Sequence, residues 1–189
     1  LKISRQSSKP HFSLVEELKK AWNVVRQRDT GSAKRSELVA NMATQIKGRV
    51  LDVTLRHDAS RIVQSIFQFG SKQHRSEVLD ELLSKVVELG KSSYGHFVIL
   101  KALAVCDSGP EQKKISAAMQ GHFLSLGTNV IGARVTETLL QLFPLQLARA
   151  LKAEFYGSKF VLLAKGGGKS NAPKSLRALL DALPAEKWN

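Results

Sequence analysis

Apolar residues recur every three to four positions along much of this chain, which is the spacing of amphipathic helices with one buried face. The first helix is predicted to start at Ser13, which can cap it together with Glu16 in a capping box. Its inward residues are Leu14, Leu18, Trp22 and Val25. A break at 29–32 separates it from a second helix predicted over 36–46. The inward residues of that helix are Leu38, Val39, Met42 and Ile46.

Three stretches align without gaps and predict a repeat. Each opens with two apolar residues, one polar and one apolar, at 50–53, 86–89 and 123–126. Each reaches the head of an apolar helix seven residues later, at Ser60, His96 and Ala133, so the repeats are 36 and 37 residues long. Further helices are predicted between the units, over 73–83 and 111–119. Helical units at such a period, with no convincing alternation of strands, predict an all-α fold of the α-solenoid type.

A fourth, degenerate unit is predicted after these three. Its first helix would span 144–151 and its second 155–163, with the helix head at Ser158. The repeat array, including the helix that precedes the first unit, is therefore expected to span 14–165.

The flanks have a different composition. Residues 1–13 are polar and basic, and we expect a flexible arm there. The glycine-rich stretch 166–172 predicts a flexible loop. An amphipathic helix is predicted within 173–189, as the start of a continuing array in a longer chain.

The chain is strongly basic, with 29 Lys and Arg against 16 Asp and Glu, a formal net charge of +13 and a pI near 10.1. The excess lies at the two ends, with net charges of +7 over 1–50 and +6 over 110–189, while 51–109 is neutral. This balance favours a polyanionic partner, above all a nucleic acid. An anionic membrane surface, an acidic protein or a simple gain in solubility would also account for it.

The cysteine and hydropathy patterns exclude other classes. A single cysteine, Cys106, cannot form an internal disulfide and follows an apolar run, so a buried structural thiol is predicted. No run approaches the roughly 18 apolar residues of a membrane span, so no membrane partner is expected.

Motifs that would support catalysis are incomplete. Gly168-Lys169-Ser170 has leucine where a phosphate loop needs its first glycine, and no strand precedes it. His57, Asp58 and Ser60 lie within one helical turn, where a catalytic triad cannot be assembled. The stretch 90–95 has Tyr94 in place of the second glycine of a nucleophile elbow. The five histidines lack ligand spacing. No enzyme activity, catalytic residue, cofactor or metal is therefore predicted.

The repeated helix heads are the remaining candidates. Their second position is a cation or an aromatic ring in every unit, and these residues are Arg61, Phe97, Arg134 and Lys159. Such groups can stack on a base or meet a phosphate. The first and fifth positions flank them and could hydrogen-bond a base edge. Solvated positions at Ser60 and Gln64, a helix-cap role for His96 and a core position for Phe97 are the structural alternatives.

The stretch 94–101, Tyr-Gly-His-Phe-Val-Ile-Leu-Lys, resembles the second-helix signature of the Pumilio (PUF) RNA-binding family. Three further stretches resemble its Puf-A branch, the nucleolar Pumilio homologues: 17–22, 57–64 and 154–160. The resemblance covers residues 14–165 approximately.

This resemblance implies a curved stack of helical repeats whose concave face carries the second helices. It places a base-edge pair of the adenine type at Ser60 and Gln64, with Arg61 stacking between them. Later units depart from that pattern, because Leu100 and Ala133 cannot hydrogen-bond a base edge. The predicted RNA-binding residues are Ser60, Arg61, Gln64, His96, Phe97, Lys101, Arg134, Glu137, Ser158 and Lys159. Candidate contacts to backbone phosphates are Lys19, Lys20, Arg26, Arg28 and Arg56.

The function implied is that of an RNA-binding scaffold in assembly of the large ribosomal subunit (pre-60S) and rRNA processing, located in the nucleolus or nucleus. Its partners would be structured RNA bound with little sequence specificity, pre-rRNA above all, and ribosomal proteins or assembly factors. It would be monomeric outside the particle. Two alternatives stay open: an α-solenoid adaptor that binds proteins, and a sequence-specific regulator that represses translation of mRNA.

Overall fold

The computed structural model describes residues 12–57, 59–106 and 109–156, and these residues contain helices and no strand. The helices are α1 Phe12–Val25, α2 Ser32–Ile46, α3 Val50–Thr54, α4 Ser60–Phe69, α5 Lys72–Leu83, α6 Val86–Lys91, α7 Gly95–Val105, α8 Gly109–Met119, α9 Phe123–Gly127, α10 Gly132–Leu142 and α11 Leu145–Lys152, and a 3₁₀ turn follows at Ala153–Tyr156. The short segments predicted at the start of each unit are the short helices α3, α6 and α9.

The helices repeat in threes and stack side by side. Helices α4, α7 and α10 pack against one another in sequence and form what we call the inner row. Helices α2, α5, α8 and α11 form the outer row in the same manner, and the short helices α3 and α6 contact members of both rows. Helix α1 lies beside α2 and α4 at the start of the stack. The predicted α-solenoid is confirmed.

One continuous apolar core runs through the stack, because each helix buries one face against its neighbours. Phe67 of α4 and Phe123 of α9 are fully buried within it. Cys106 is buried at the end of α7, as predicted. In α1, Leu18 and Val25 are buried while Trp22 is half-buried. The predicted inward faces therefore do face the core.

A side-chain hydrogen bond joins α1 to the inner row. The indole Nε1–H of Trp22 donates to Ser65 Oγ at 2.9 Å, and Ser65 Oγ in turn donates to the carbonyl of Arg61 at 3.0 Å. The amphipathic helix before the first unit is thus part of the stack.

Helix starts differ from the prediction by a few residues. Helix α2 begins at Ser32 rather than 36, because Arg35 donates to the carbonyls of Val25 (3.1 Å) and Gln27 (2.8 Å) and so anchors its first turn to the end of α1. Helix α1 begins at Phe12, which puts Ser13 inside the first turn rather than at the cap. The predicted arm was too long, because its last two residues lie in α1, and its residues 1–11 lie outside the described residues. Of the helix predicted over 155–163, the first two residues belong to the 3₁₀ turn and the rest lie outside the described residues, as do Ser158, Lys159, the loop 166–172 and the helix in 173–189.

Two glutamates join successive units by accepting backbone N–H groups, and we call them the glutamate clamps. Glu81 of α5 accepts from Gly48 at 2.8 Å and from Val50 at 3.4 Å, at the start of α3. Glu154 occupies the same place two units later. It accepts from Gly121 at 2.6 Å and from Phe123 at 2.8 Å, at the start of α9. Each carboxylate therefore caps the N-terminal end of a short helix in the preceding unit, where negative charge is favoured.

The turns at the clamps need glycine. Gly48 and Gly121 have φ values of 75° and 84°, in the left-handed region where a Cβ is strained. The second unit has a shorter turn with Ser84 at φ −61° and has Ala117 where the clamp residue would be. Among the described residues, the clamp is therefore used in the first and third units.

Candidate nucleic-acid interface

Polar caps fix where the inner-row helices begin. In the second unit Ser92 Oγ accepts from the N–H groups of Tyr94 (3.4 Å) and Gly95 (3.3 Å). In the third unit Asn129 Oδ1 accepts from Gly132 at 2.9 Å. These bonds satisfy N–H groups that a helix start leaves unpaired and set the orientation of the residues that follow.

Glycine at the head lets the helix approach the short helix before it. A Cβ added at Gly95 would lie 2.8 Å from the carbonyl oxygen of Leu89, and at Gly132 it would lie 2.6 Å from that of Leu126. Ala59 occupies the equivalent place in the first unit and is fully buried. The helix heads are therefore held close to the core, and the next side chains project from a fixed base.

Arg61, Phe97 and Arg134 occupy the same position in three successive inner-row helices, and we call them the head row. All three are exposed, and Phe97 has 45% of its surface accessible. Phe97 is thus not a core residue. The structure brings together on one row of helices the residues that the sequence singled out as stackers, apart from Lys159, which lies outside the described residues.

The first position of each head is less accessible. Ser60 and His96 have 4% and 6% of their surface exposed, and Ala133 is half-buried. His96 Nδ1 lies 2.8 Å from the carbonyl oxygen of Ser92, so Nδ1 carries a proton and donates. The imidazole also lies against the ring of Phe97, with centroids 3.8 Å apart. His96 therefore hydrogen-bonds to the backbone just before α7 rather than capping its N–H groups, and its contact with a base stays a prediction.

The fifth positions differ between units. Gln64 and Leu100 are half-buried, whereas Glu137 is exposed and accepts from Gln141 Nε2 at 3.4 Å. Lys101 is half-buried one residue further along α7. The described units thus present an amide, an aliphatic group and a carboxylate at this position, which is not a uniform set for contact with a base.

The candidate phosphate contacts in and just after α1 differ in their surroundings. Lys20, Arg26 and Arg28 are exposed, and the Arg26 guanidinium lies 4.9 Å from the ring centroid of Trp22. Lys19 forms an ion pair with Glu16 at 2.8 Å. Arg56, in the bend before α4, is half-buried and has a contact within the chain.

Acidic side chains form ion pairs between units of the stack. Lys47 pairs with Glu77 at 3.2 Å and Lys114 with Asp80 at 2.7 Å, so each pair joins two outer-row units. The hydrogen bond from Gln73 and the nearby Lys47 ammonium lower the pKa of Glu77. With Glu81 of the first clamp, these contacts engage three acids of the neutral middle segment.

One pair of residues was not predicted as a site. His57, in the bend before α4, meets Tyr94, at the head of α7, edge to face with ring centroids 5.0 Å apart and planes at 71°. Both side chains are exposed. The signal available in the sequence was weak, because His57 and Tyr94 each lie in a stretch that resembles the Pumilio family and in an incomplete catalytic motif, and neither pattern pairs the two.

The described residues give no support to two other site classes. They contain no group of three or more His, Cys, Asp or Glu side chains able to hold a metal ion. None of their helices has the length and hydropathy needed to cross a membrane.

No protein-family model matches the chain. Curated relatives do match it. Human Pumilio homolog 3 is 27% identical over 186 residues, which cover 97% of this chain and 28% of that protein. Pumilio homology domain family member 6 of Schizosaccharomyces pombe is 32% identical over 161 residues, which cover 85% of this chain and 25% of that protein. The crystal structure of human Puf-A in complex with DNA superposes with a TM-score of 0.79 at 25% identity, over 93% of this chain and 34% of that one.

The chain is similar to Pumilio repeat proteins. Among them it is similar to Puf-A, as the sequence predicted. The chain spans 28% and 25% of the length of the two curated relatives.

Proposed function

We propose that this Pumilio array binds RNA through the head row and the surrounding cations, with little preference for the base sequence of the RNA. The observation that carries the proposal is the head row itself, in which three successive units expose a cation, a ring and a cation at one equivalent position. One stacking or basic group per repeat suits a polymer with one base and one phosphate per step.

Charge supports a polyanionic ligand. The chain has 13 more basic than acidic residues, and several of its acids are occupied by the clamps and by pairs between units. Exposed cations in and just after α1 (Lys20, Arg26 and Arg28) extend the basic surface beyond the inner row. Neutralising phosphates releases counterions and would supply most of the affinity in this arrangement.

The base-edge positions support low specificity. Ser60 and His96 are almost fully buried, and Leu100 cannot hydrogen-bond a base edge. A sequence-specific mRNA regulator needs polar groups at these positions in successive units. The lack of accessible polar groups at these positions therefore favours a protein that binds RNA of many sequences over one that selects an mRNA sequence.

For the cellular role, we propose assembly of the large ribosomal subunit, with pre-rRNA as the RNA and ribosomal proteins or assembly factors as neighbours in the nucleolus. The likeness to Puf-A supports this proposal. We propose no catalytic step.

The proposal is tested by measuring RNA affinity against salt for the wild type and for two charge-reversed variants. Arg61→Glu with Arg134→Glu alters the head row, whereas Lys113→Glu with Arg149→Glu makes the same change in net charge at exposed positions of the outer row. If both head-row cations contact phosphates, the slope of log affinity against log salt should fall by about 1.4 on single strands. The outer-row variant should change it less.

Two outcomes would contradict the proposal. Equal losses in the two variants would mean that net charge alone drives binding and that the head row is not the contact surface. Absence of RNA binding by the wild type at about 50 mM salt, where phosphate contacts are strong, would instead favour the protein-binding adaptor.

A further inference from the structure

Exposed aromatic side chains are few and are not scattered. Among the described residues they are Tyr94, Phe97, Phe155 and Tyr156, and the first two lie three residues apart at the head of α7. Tyr94 is the residue directly before the helix and Phe97 is in its first turn. Tyr94 has 38% and Phe97 has 45% of its surface exposed. His57 adds a third exposed ring from the neighbouring unit, in contact with Tyr94.

The cluster of exposed rings, which consists of His57, Tyr94 and Phe97, is not needed to fill the core. The apolar core of the second unit is complete without Tyr94, since Leu89, Val98 and Ile99 are buried there. The contact between His57 and Tyr94 joins two units by their exposed rings. An aromatic surface that neither fills the core nor covers an apolar face is a candidate binding site.

Both rings have a neighbour within the chain. The ring of Tyr94 meets His57 edge to face at 5.0 Å, and Phe97 has the buried imidazole of His96 on one side, with centroids 3.8 Å apart. Such contacts restrict a side chain relative to one without neighbours, which lowers the entropy cost of binding a flat ligand against it.

From these contacts we propose that His57 and Tyr94 form a stacking site for one unpaired nucleobase, outside the head row and bordered by Phe97. This site rests on the proposed function and adds that the feature of RNA it binds is an unpaired base. A base in a continuous duplex already has both faces stacked, so it cannot enter. The array would therefore bind RNA with a bulged or single-stranded nucleotide more tightly than an uninterrupted duplex.

The chemistry of the cluster suits a base of any kind. Every base has a π face, and a base–aromatic contact tolerates changes of sequence. Arg61 is exposed in the first turn of α4, four residues after His57, and is the candidate cation for the phosphate of the same nucleotide. The site would thus select a base that is unstacked without selecting its identity.

The experiment compares two hairpin RNAs whose strands are joined by a flexible polyether linker instead of loop nucleotides. They differ by one bulged 2-aminopurine, which is then the only unpaired base and whose fluorescence falls when it stacks. Tyr94→Leu should weaken binding of the bulged hairpin by about 5- to 150-fold, which corresponds to the loss of one stacked base. It should leave affinity for the uninterrupted hairpin unchanged. Fluorescence should be quenched by the wild type and by Tyr94→Phe, which keeps the ring, but not by Tyr94→Leu.

A matched control is Leu124→Ala, which removes a comparably exposed apolar side chain (46%) from short helix α9. It should affect neither RNA. His57→Phe should preserve quenching and His57→Ala should reduce it, since the site needs a ring rather than a charge at that position.

The outcomes separate this inference from the proposed function. Tight binding of both hairpins with no preference for the bulge, or equal losses on both in Tyr94→Leu, would overturn the stacking site and leave RNA binding intact. Failure of the wild type to bind either hairpin would overturn both.

Discussion

Removing a glutamate clamp tests how the units of this array are held together. In Glu81→Ala the N–H groups of Gly48 and Val50 lose their acceptor at the start of α3. The bond to Gly48 is 2.8 Å long, within the range of charge-assisted hydrogen bonds, whereas the 3.4 Å bond to Val50 is long and contributes little. One strong bond to a charged acceptor contributes about 1.5–3 kcal/mol.

The lower end of that range applies, because Gly48 is exposed and water can replace part of the lost bond. We therefore expect the free energy of unfolding to fall by about 1.5 kcal/mol. For a chain of this length the melting temperature should drop by about 3–6 °C. Thermal unfolding followed by circular dichroism measures this loss.

The control is Glu88→Ala. Glu88 of α6 is exposed and pairs at 2.8 Å with Lys85, the residue directly before that helix, a contact worth about 0.5 kcal/mol or less. Hydrogen exchange supplies a local readout, since the amide of Gly48 should exchange faster in Glu81→Ala and not in Glu88→Ala. Equal stability losses in the two variants, or an unchanged exchange rate at Gly48, would refute the clamp.

Two further predictions concern the helix heads and pH. Gly132→Ala should destabilise the fold by about 1–3 kcal/mol, because its Cβ would lie 2.6 Å from a backbone carbonyl oxygen. Gly109→Ala is the control, since it is also at a helix start but has nothing within 4 Å of the new Cβ, and it should not destabilise the fold. Comparable denaturant midpoints for the two variants would contradict the close approach at Gly132. Since hydrogen bonding by Gln73 and the Lys47 charge lower its folded-state pKa, Glu77 stabilises the fold above its ordinary pKa, and this contribution is lost as pH falls through the lowered value. In an NMR titration Lys47→Met should raise the pKa of Glu77, and an unchanged midpoint would argue against the pairing.

The head row shows why part of the site could be predicted. Arg61, Phe97 and Arg134 recur at 36 and 37 residues, and a repeat puts equivalent residues in equivalent environments. Their common exposure follows from that rule. The burial of Ser60 and His96 could not be predicted from the repeat, because it depends on how closely each helix head approaches the short helix before it.

The glutamate clamps were within reach of the sequence and were missed. Gly48 and Gly121 are 73 residues apart, as are Glu81 and Glu154, and this equals two repeats. A search at a one-repeat period does not find them, since the middle unit has Ser84 and Ala117 at the corresponding places. A carboxylate also has many possible partners in sequence, and only the packing of α5 on α3 selects the two N–H groups.

The sequence by itself determined the helices, their repeat and the excess of positive charge, because helical periodicity and composition are local properties of the chain. Tertiary structure decided which polar groups serve the fold and which face outward. His57 and Tyr94 are 37 residues apart, and their rings meet only because two units stack with a particular offset. That offset is set by close packing along the whole core, so no single stretch of sequence encodes it.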